Sequence, residues 1–271
     1  MSGLATATER FDVVIAIGGL PIRIRVDDPA FLGLLQERYA GFVSSSRRAK
    51  FEFEIDLAPP GLISEDEDVR VWRDSGRWSL DRGDFHAEWD SASARGRIRQ
   101  TANPYSIDAV LRIVHTLLLA KEGGFLLHAA SAVRNGRAFL FTGVSGAGKT
   151  TIASLAPKDA VVLTDEISYV RKLEGGYSAF GTPFTGELAK LGENIHAPIA
   201  ALYLLAKGPE NRAEPVSSSE AVRALLSNIL FFAADAELVQ LVFQSACEFV
   251  GCVPVYRLTF VPDERVWEMI A

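Results

Sequence analysis

The sequence predicts an α/β protein of the α+β kind, with a β-rich N-terminal domain over residues 1–100 and a second domain over 101–271 whose sheet is mixed or antiparallel. Three observations carry this expectation. The first hundred residues consist of short alternating segments separated by Gly, Asp and Pro. A helix-periodic run begins just after Pro104. Beyond it, apolar strand-like segments flank a glycine-rich loop at residues 143–150.

The elements follow in chain order. Residues 11–26, FDVVIAIGGLPIRIRV, read as a hairpin turning at Gly18-Gly19, because Ile22, Ile24 and Val26 alternate with Arg23 and Arg25. Pro29 opens a helical pattern through Phe31, Leu34, Leu35 and Tyr39. Phe51, Phe53, Ile55 and Leu57 form another alternating strand, which Pro59-Pro60 stops, and the acidic run Glu65 to Asp68 reads as a solvated loop. Val69 to Arg99 has the aromatic-rich segments and Gly/Asp turns of an antiparallel meander. Ile107, Val110, Leu111, Val114, Leu117 and Leu118 then recur at helical spacing until Gly123-Gly124. Strands FLLHAASAV and RAFLFTG, the loop, a short helix cut by Pro157 and strand AVVLTDE come next. Further short strands, helices around 219–233 and 236–249, and a last strand VYRLTF complete the chain.

Composition narrows the function classes. With 271 residues, 48% hydrophobic and 23% charged, the chain is that of a soluble globular protein. Its net charge of -6 is evenly divided, since residues 1–100 and 101–271 each carry 14 basic and 17 acidic side chains. Neither part is basic enough for a phosphate backbone, so nucleic acid is not an expected partner. No apolar run approaches the roughly 18 residues of a membrane span, so a membrane partner is not expected either. The start, MSGLATATERFD, lacks a signal peptide's basic and apolar regions, and Ser2 stands where N-myristoylation needs glycine. Cys247 and Cys252 are too few for a disulfide framework, which suits a reducing compartment and a cytoplasmic location.

Gly143-Val-Ser-Gly-Ala-Gly-Lys149-Thr150 matches G-x-x-x-x-G-K-[ST], between an apolar strand and a helix as that motif requires. Backbone N–H groups of Gly143, Ser145, Gly146, Ala147 and Gly148 would turn onto phosphate oxygens, helped by the helix N-terminus. Lys149 would reach the β and γ phosphates of ATP, the Thr150 hydroxyl would ligate Mg²⁺, and Thr151 would add a phosphate contact.

Asn135-Gly136 signals a two-residue type I′ turn between the two preceding strands. In that register paired residue numbers sum to 271, which brings His128 opposite Gly143 and makes the loop's strand antiparallel to its predecessor. An imidazole beside the phosphate loop is a candidate for acid–base work. His86, His115 and His196 read as a surface-strand, a core-helix and a loop residue, without a role in chemistry. Val161, Val162 and Leu163 lead into Asp165 and Glu166, the pattern of a buried strand delivering carboxylates at its C-terminal end. Asp165 could hold Mg²⁺ or take a proton from a hydroxyl, and strand alternation would point Glu166 to the opposite face.

The histidine strand, the hairpin, the SGAGKTT loop and the TDE strand, in this order, resemble the C-terminal domain of HPr kinase/phosphorylase and the wider HPr-kinase-related serine kinases. That P-loop fold is shared with phosphoenolpyruvate carboxykinases. GTPFTGELAKLGEN, IAALYLLAKGPENR and EAVRALL extend the similarity, which covers about His128 to Phe260. The resemblance implies an ATP- and Mg²⁺-dependent kinase acting on a hydroxyl, with serine of a peptide or protein as the expected acceptor. It implies that Asp165 is the base, that His128 assists near the γ phosphate, and that Lys149 and Thr150 hold nucleotide and metal. Glu166, and Glu187 in GTPFTGE, join Thr150 and Asp165 as candidate metal ligands. Two departures stand out: Asp165-Glu166 occupies the place of the family's usual two aspartates, and the later E-[LI]-R-G-x-G signature for HPr and phosphorolysis is absent. A small-molecule kinase on the same fold and a nucleotide-sensing binding module without catalysis remain open, as does a homo-oligomer of the kind HPr kinases form.

Overall fold

A computed structural model describes residues 10–59, 68–184 and 192–270. The chain divides into two compact units, residues 1–111 and 112–271.

The first unit is a seven-stranded sheet. Strands β1 (Phe11–Ile17) and β2 (Leu20–Val26) form the Gly18-Gly19 hairpin, and α1 (Pro29–Arg38) follows. Asp28 caps α1, accepting from the N–H groups of Ala30 and Phe31 at 2.8 and 3.0 Å, as a carboxylate does for exposed helix-start donors. Then come β3 (Phe51–Leu57), β4 (Arg70–Asp74), β5 (Arg77–Arg82), β6 (Phe85–Asp90) and β7 (Arg95–Gln100). The spatial order is β1-β2-β3-β7-β6-β5-β4. The meander β4 to β7 is antiparallel as its turns dictate, whereas β2–β3 and β3–β7 pair in parallel. Alternation buries Ile22, Ile24, Phe53, Trp78, Trp89 and Ile98 on one face. The other face is a charge lattice. Arg23 and Arg25 lie opposite Glu52 and Glu54, which lie opposite Arg95 and Arg97. Such cross-strand pairs favour this register and keep the face solvated. The acidic stretch from Glu65 to Glu67 lies outside the described residues.

Helix α2 (Ser106–Glu122) contains the division between the units. The second unit continues with β8 (Phe125–Arg134) and β9 (Arg137–Thr142), joined through Asn135 and Gly136, both at positive φ as a type I′ turn requires. It proceeds through α3 (Lys149–Ser154), β10 (Ala160–Thr164), β11 (Ile167–Leu173), β12 (Gly176–Phe180), β13 (His196–Lys207) and β14 (Arg212–Pro215). Helix α4 (Ser218–Leu226), β15 (Ile229–Leu230), α5 (Ala236–Cys252) and β16 (Val255–Phe260) follow, with a short 3₁₀ segment over Glu264–Met269.

These strands make one nine-stranded mixed sheet. Ten-residue β8 is its hub. Its C-terminal half pairs with β9 and β10, and its N-terminal half with β11 and β15. Pairings β8–β11–β12–β13–β9–β8 close a circuit, so the sheet curls around an apolar interior that includes Leu127, Leu140, Val170 and Leu202. Phe139 and Phe141 of β9 face the other way, into a second cluster with Ile152, Phe260 and Trp267. The protein is therefore α+β with two mixed sheets and few helices.

Three expectations need correction. The helix read over 219–233 ends at Leu226, because Ile229 and Leu230 pair with Leu127 and Leu126 instead of continuing the helix. His196 opens β13 and stacks on Phe180 at 4.6 Å between ring centroids, so it is a strand residue. The strand through Asp165 and Glu166 does not end there, as described below.

His115 sits in the second unit's core with its Nδ1 2.9 Å from the Tyr169 hydroxyl. Burial pushes its pKa down to about 3, so the folded protein holds the imidazole neutral. An unfolded chain takes up the proton near pH 6.5, so this contribution is complete above that pH and is lost as pH falls toward 3. Between pH 6.5 and 5 the loss is about 2 kcal/mol. Denaturant unfolding at pH 7 and pH 5 is expected to show a smaller decline in the His115→Gln variant than in the parent chain.

Candidate active site

The loop between β9 and α3 carries the glycine-rich motif. Gly146 and Gly148 have φ of 74° and 107°, and Gly148 is the N-cap of α3. Glycine tolerates these values, which make the tight turns of the loop; within it the Ala147 N–H donates to the Val144 carbonyl at 3.0 Å, so it is not among the N–H groups left for a phosphate as the sequence suggested. Behind the loop, the Phe260 ring lies so close that a Cβ on Gly148 would stand 2.8 Å from it. Lys149 is buried, and its ammonium donates to the Gly143 carbonyl at 3.2 Å. From the C-terminal side, Trp267 Nε1 donates to the Ile152 carbonyl at 3.1 Å, and its ring meets Phe141 edge-on. Helix α3 is thus fixed by residues more than a hundred positions away.

The summed register holds from Arg134↔Arg137 to Ala129↔Thr142, where the ladder stops. The expected pairing of His128 with Gly143 is therefore not formed, because the chain leaves the sheet at Thr142 to start the loop. Side-chain bonding takes over: Thr142 Oγ1 donates to the His128 carbonyl at 2.8 Å. On its own backbone, His128 N–H donates to the Asn228 carbonyl at 2.8 Å, and His128 lies opposite Ile167 of β11. The half-buried His128 imidazole is held below its ordinary pKa, first by burial and then by the charge of Lys149.

Asp165 and Glu166 sit in a break between two strands that pair with the same partner. Strand β10 runs along β8 from Ala160↔Arg134 to Thr164↔Ser131, with a register shift between Val162 and Thr164. After the two carboxylates the chain rejoins β8 at Ile167↔His128. The Thr164 hydroxyl accepts from the N–H groups of Glu166 and Ile167, both at 3.2 Å, and Ala129 N–H donates to the Glu166 carbonyl at 2.9 Å. The register shift falls at Leu163, and Thr164↔Ser131 and Ile167↔His128 share one register, so the two carboxylates lie along β8 between β10 and β11 rather than at the end of a strand. Asp165 is buried and Glu166 half-buried.

A cavity of about 600 Å³ has Thr164 and Asp165 in its wall, together with Ala153, Ser154, Lys158 and Glu193. Its size is within the range of ligand clefts. The first unit has a cavity of about 320 Å³ among charges of its outer sheet face, including Arg25, Arg77 and Arg97; none of the motif residues is there.

The donor set suits Mg²⁺ with a nucleotide. This ion takes one or two carboxylates beside phosphate oxygens and water, and Thr150 with Asp165 supplies a hydroxyl and a carboxylate of that kind. Among the described residues, no group of three or more His, Cys, Asp or Glu side chains could hold a metal by itself. Glu187 lies outside the described residues. Sequence reasoning had not singled out Thr164, Phe260 or Trp267. A Thr directly before Asp-Glu is a local turn signal that could have pointed to the first; the other two act through contacts distant in sequence.

The second unit thus defines an α+β protein with a glycine-rich loop, a histidine and a buried aspartate gathered along one strand. Residues 98–271 match the family described as SynChlorMet cassette protein ScmC, and the chain belongs to that family. No curated protein matches it.

Proposed function

We propose that the protein is an ATP- and Mg²⁺-dependent kinase with a P-loop fold of the HPr-kinase type, transferring the γ-phosphate to a hydroxyl, with serine of a peptide or protein as acceptor. The observation that supports this most is the meeting on β8. Ala129 faces the last residue before the glycine-rich loop and also bonds to Glu166 of the acidic pair, with His128 one residue away. In this reading the acceptor oxygen forms the new bond to phosphorus as its proton passes to Asp165, and the bond to the bridging oxygen of the departing ADP breaks. Lys149 and the loop N–H groups offset the charge on the phosphates, and Thr150 and Asp165 would hold Mg²⁺, which when bound would add further neutralisation. His128, neutral at rest, can donate to a phosphate oxygen and gains a proton more readily once that negative charge is beside it.

The setting agrees with this reading. Cys247 and Cys252 are free and exposed, as suits a reducing cytoplasm. Among the described residues no helix is long and apolar enough to cross a membrane. The family's description as a cassette protein favours taking the first trial acceptors from products of neighbouring genes.

The test is transfer from γ-labelled ATP, with Mg²⁺, to serine-containing peptides. Label on peptide is the expected result, and Lys149→Ala should weaken ATP binding and transfer together. Tight ATP binding without transfer to any peptide, protein or small hydroxyl compound would overturn the kinase reading in favour of a nucleotide sensor.

A further inference from the structure

We propose that the second unit has a binding site for a small aromatic carboxylate, apart from the glycine-rich loop, in a cavity of about 340 Å³ bordered by β9, β13, β14, β16 and the 3₁₀ segment Glu264–Met269. None of the loop residues lines this cavity, nor does Asp165 or Glu166, so the site is independent of the kinase reading.

Sheet register builds it. Phe139 and Phe141 of β9 pair with Ala201 and Tyr203 of β13, and Tyr203 pairs with Tyr256 of β16. Side chains so paired share one face, and Arg137, two residues before Phe139, shares it too. The rings of Phe141, Tyr203 and Tyr256 form a row across three strands, with centroids 5.6 and 5.7 Å apart. Beside this row the wall drops to alanine: Ala201 next to Phe139, Ala213 on β14, and Ala200 at a register shift in β13. Small side chains among large rings leave a hollow, which Met269 also borders.

Two polar groups of the wall are left for a ligand. Arg137 is exposed, and its guanidinium makes no ion pair, hydrogen bond or ring contact with the described residues. Tyr203 is only 5% exposed, yet its hydroxyl makes no hydrogen bond with them either. A hydroxyl so enclosed normally has a partner. Burial, and then the neighbouring Tyr256, push its pKa up, so it keeps its proton and stands ready as a donor. Arg137 lies four residues before the level of Tyr203, about 13 Å along the strands, so the two groups mark opposite ends of the cavity and the rings its middle. The guanidinium fork matches a carboxylate with two parallel hydrogen bonds. Phe139, Tyr256 and the Met269 thioether favour an aromatic ring, and the Tyr203 hydroxyl suits a polar substituent at its far end. The volume is near the lower limit of ligand clefts, which fits a single-ring molecule.

The experiment titrates the full chain by calorimetry with 4-hydroxyphenylacetate, with its amide and cyclohexylacetate as comparisons. A ligand this small is expected to saturate the site with a Kd of about 5 mM or below. The amide should bind at least about tenfold more weakly, and so should the acid to Arg137→Gln, since each change removes the charged pair. Cyclohexylacetate should lose at least about threefold, and Tyr203→Phe, which keeps the ring row, should cost the acid a similar factor. Ala213→Leu, which fills the hollow, should remove binding. Of the four tryptophans, Trp267 alone lies in the second unit, two residues from Met269, so its emission should change on binding in the parent chain and not in Ala213→Leu. Absence of saturable binding, or equal affinity for acid and amide, would overturn the proposal without recourse to any variant. Binding that survives Ala213→Leu would put the acid elsewhere and overturn it as well.

Discussion

Asp165→Asn is expected to abolish phosphoryl transfer while leaving ATP affinity within a few-fold of the parent chain. The substitution keeps the shape of a buried side chain in a segment held by the Thr164 hydroxyl and the Glu166 carbonyl. It removes the ability to take a proton, which matters in the transition state and little in the ground state. Positioned bases contribute roughly 10²- to 10⁴-fold, so the residual rate should fall to that extent or further if Asp165 also holds the metal. Single-turnover transfer and equilibrium nucleotide binding, measured on one preparation, separate the two effects. Transfer at the parent rate would remove Asp165 from the chemistry.

Gly148→Ala is expected to weaken ATP binding by more than tenfold and to remove transfer with it. Two costs combine at this position. A φ of 107° lies beyond even the left-handed region that L-residues occasionally enter, where the penalty is already about 1–2 kcal/mol. The new methyl would also stand 2.8 Å from the Phe260 ring. Relief of either strain moves the loop that precedes Lys149. Adding Phe260→Leu should recover part of the affinity, since it removes the collision but not the backbone cost. A fluorescent ATP analogue titrated against both variants reads this directly, and unchanged affinity in Gly148→Ala would mean that the loop does not cradle phosphate.

Local rules carried the reading of the sequence a long way. Asn135-Gly136 set the β8–β9 register correctly from Arg134 back to Ala129, because turn chemistry and alternation leave no other choice. Helix α1 begins at Pro29 as expected, because Asp28 and Pro29 are both start signals. The failures share a cause: each depended on a partner remote in sequence. Ile229 and Leu230 fit a helical pattern, yet β8 has an unfilled edge beside Leu126 and Leu127 and takes them as a strand. The Asp165-Glu166 segment reads as a strand end until β11 is seen to return to the same partner. His128 stops one step short of the predicted ladder because Thr142 must release the loop. The glycine-rich motif was legible because its geometry is local; what braces it from behind, Phe260 and Trp267, was not.

That bracing has a consequence for synthesis. The bond from Trp267 to Ile152 spans 115 positions, and the Phe260 ring behind Gly148 belongs to the last strand. A nascent chain long enough to contain the motif still lacks the groups that shape it. Closing such long loops is slow compared with forming the local hairpin. The glycine-rich loop is therefore among the last parts to reach its final shape, and a growing chain on the ribosome does not carry the finished loop before β16 and the segment after it have emerged.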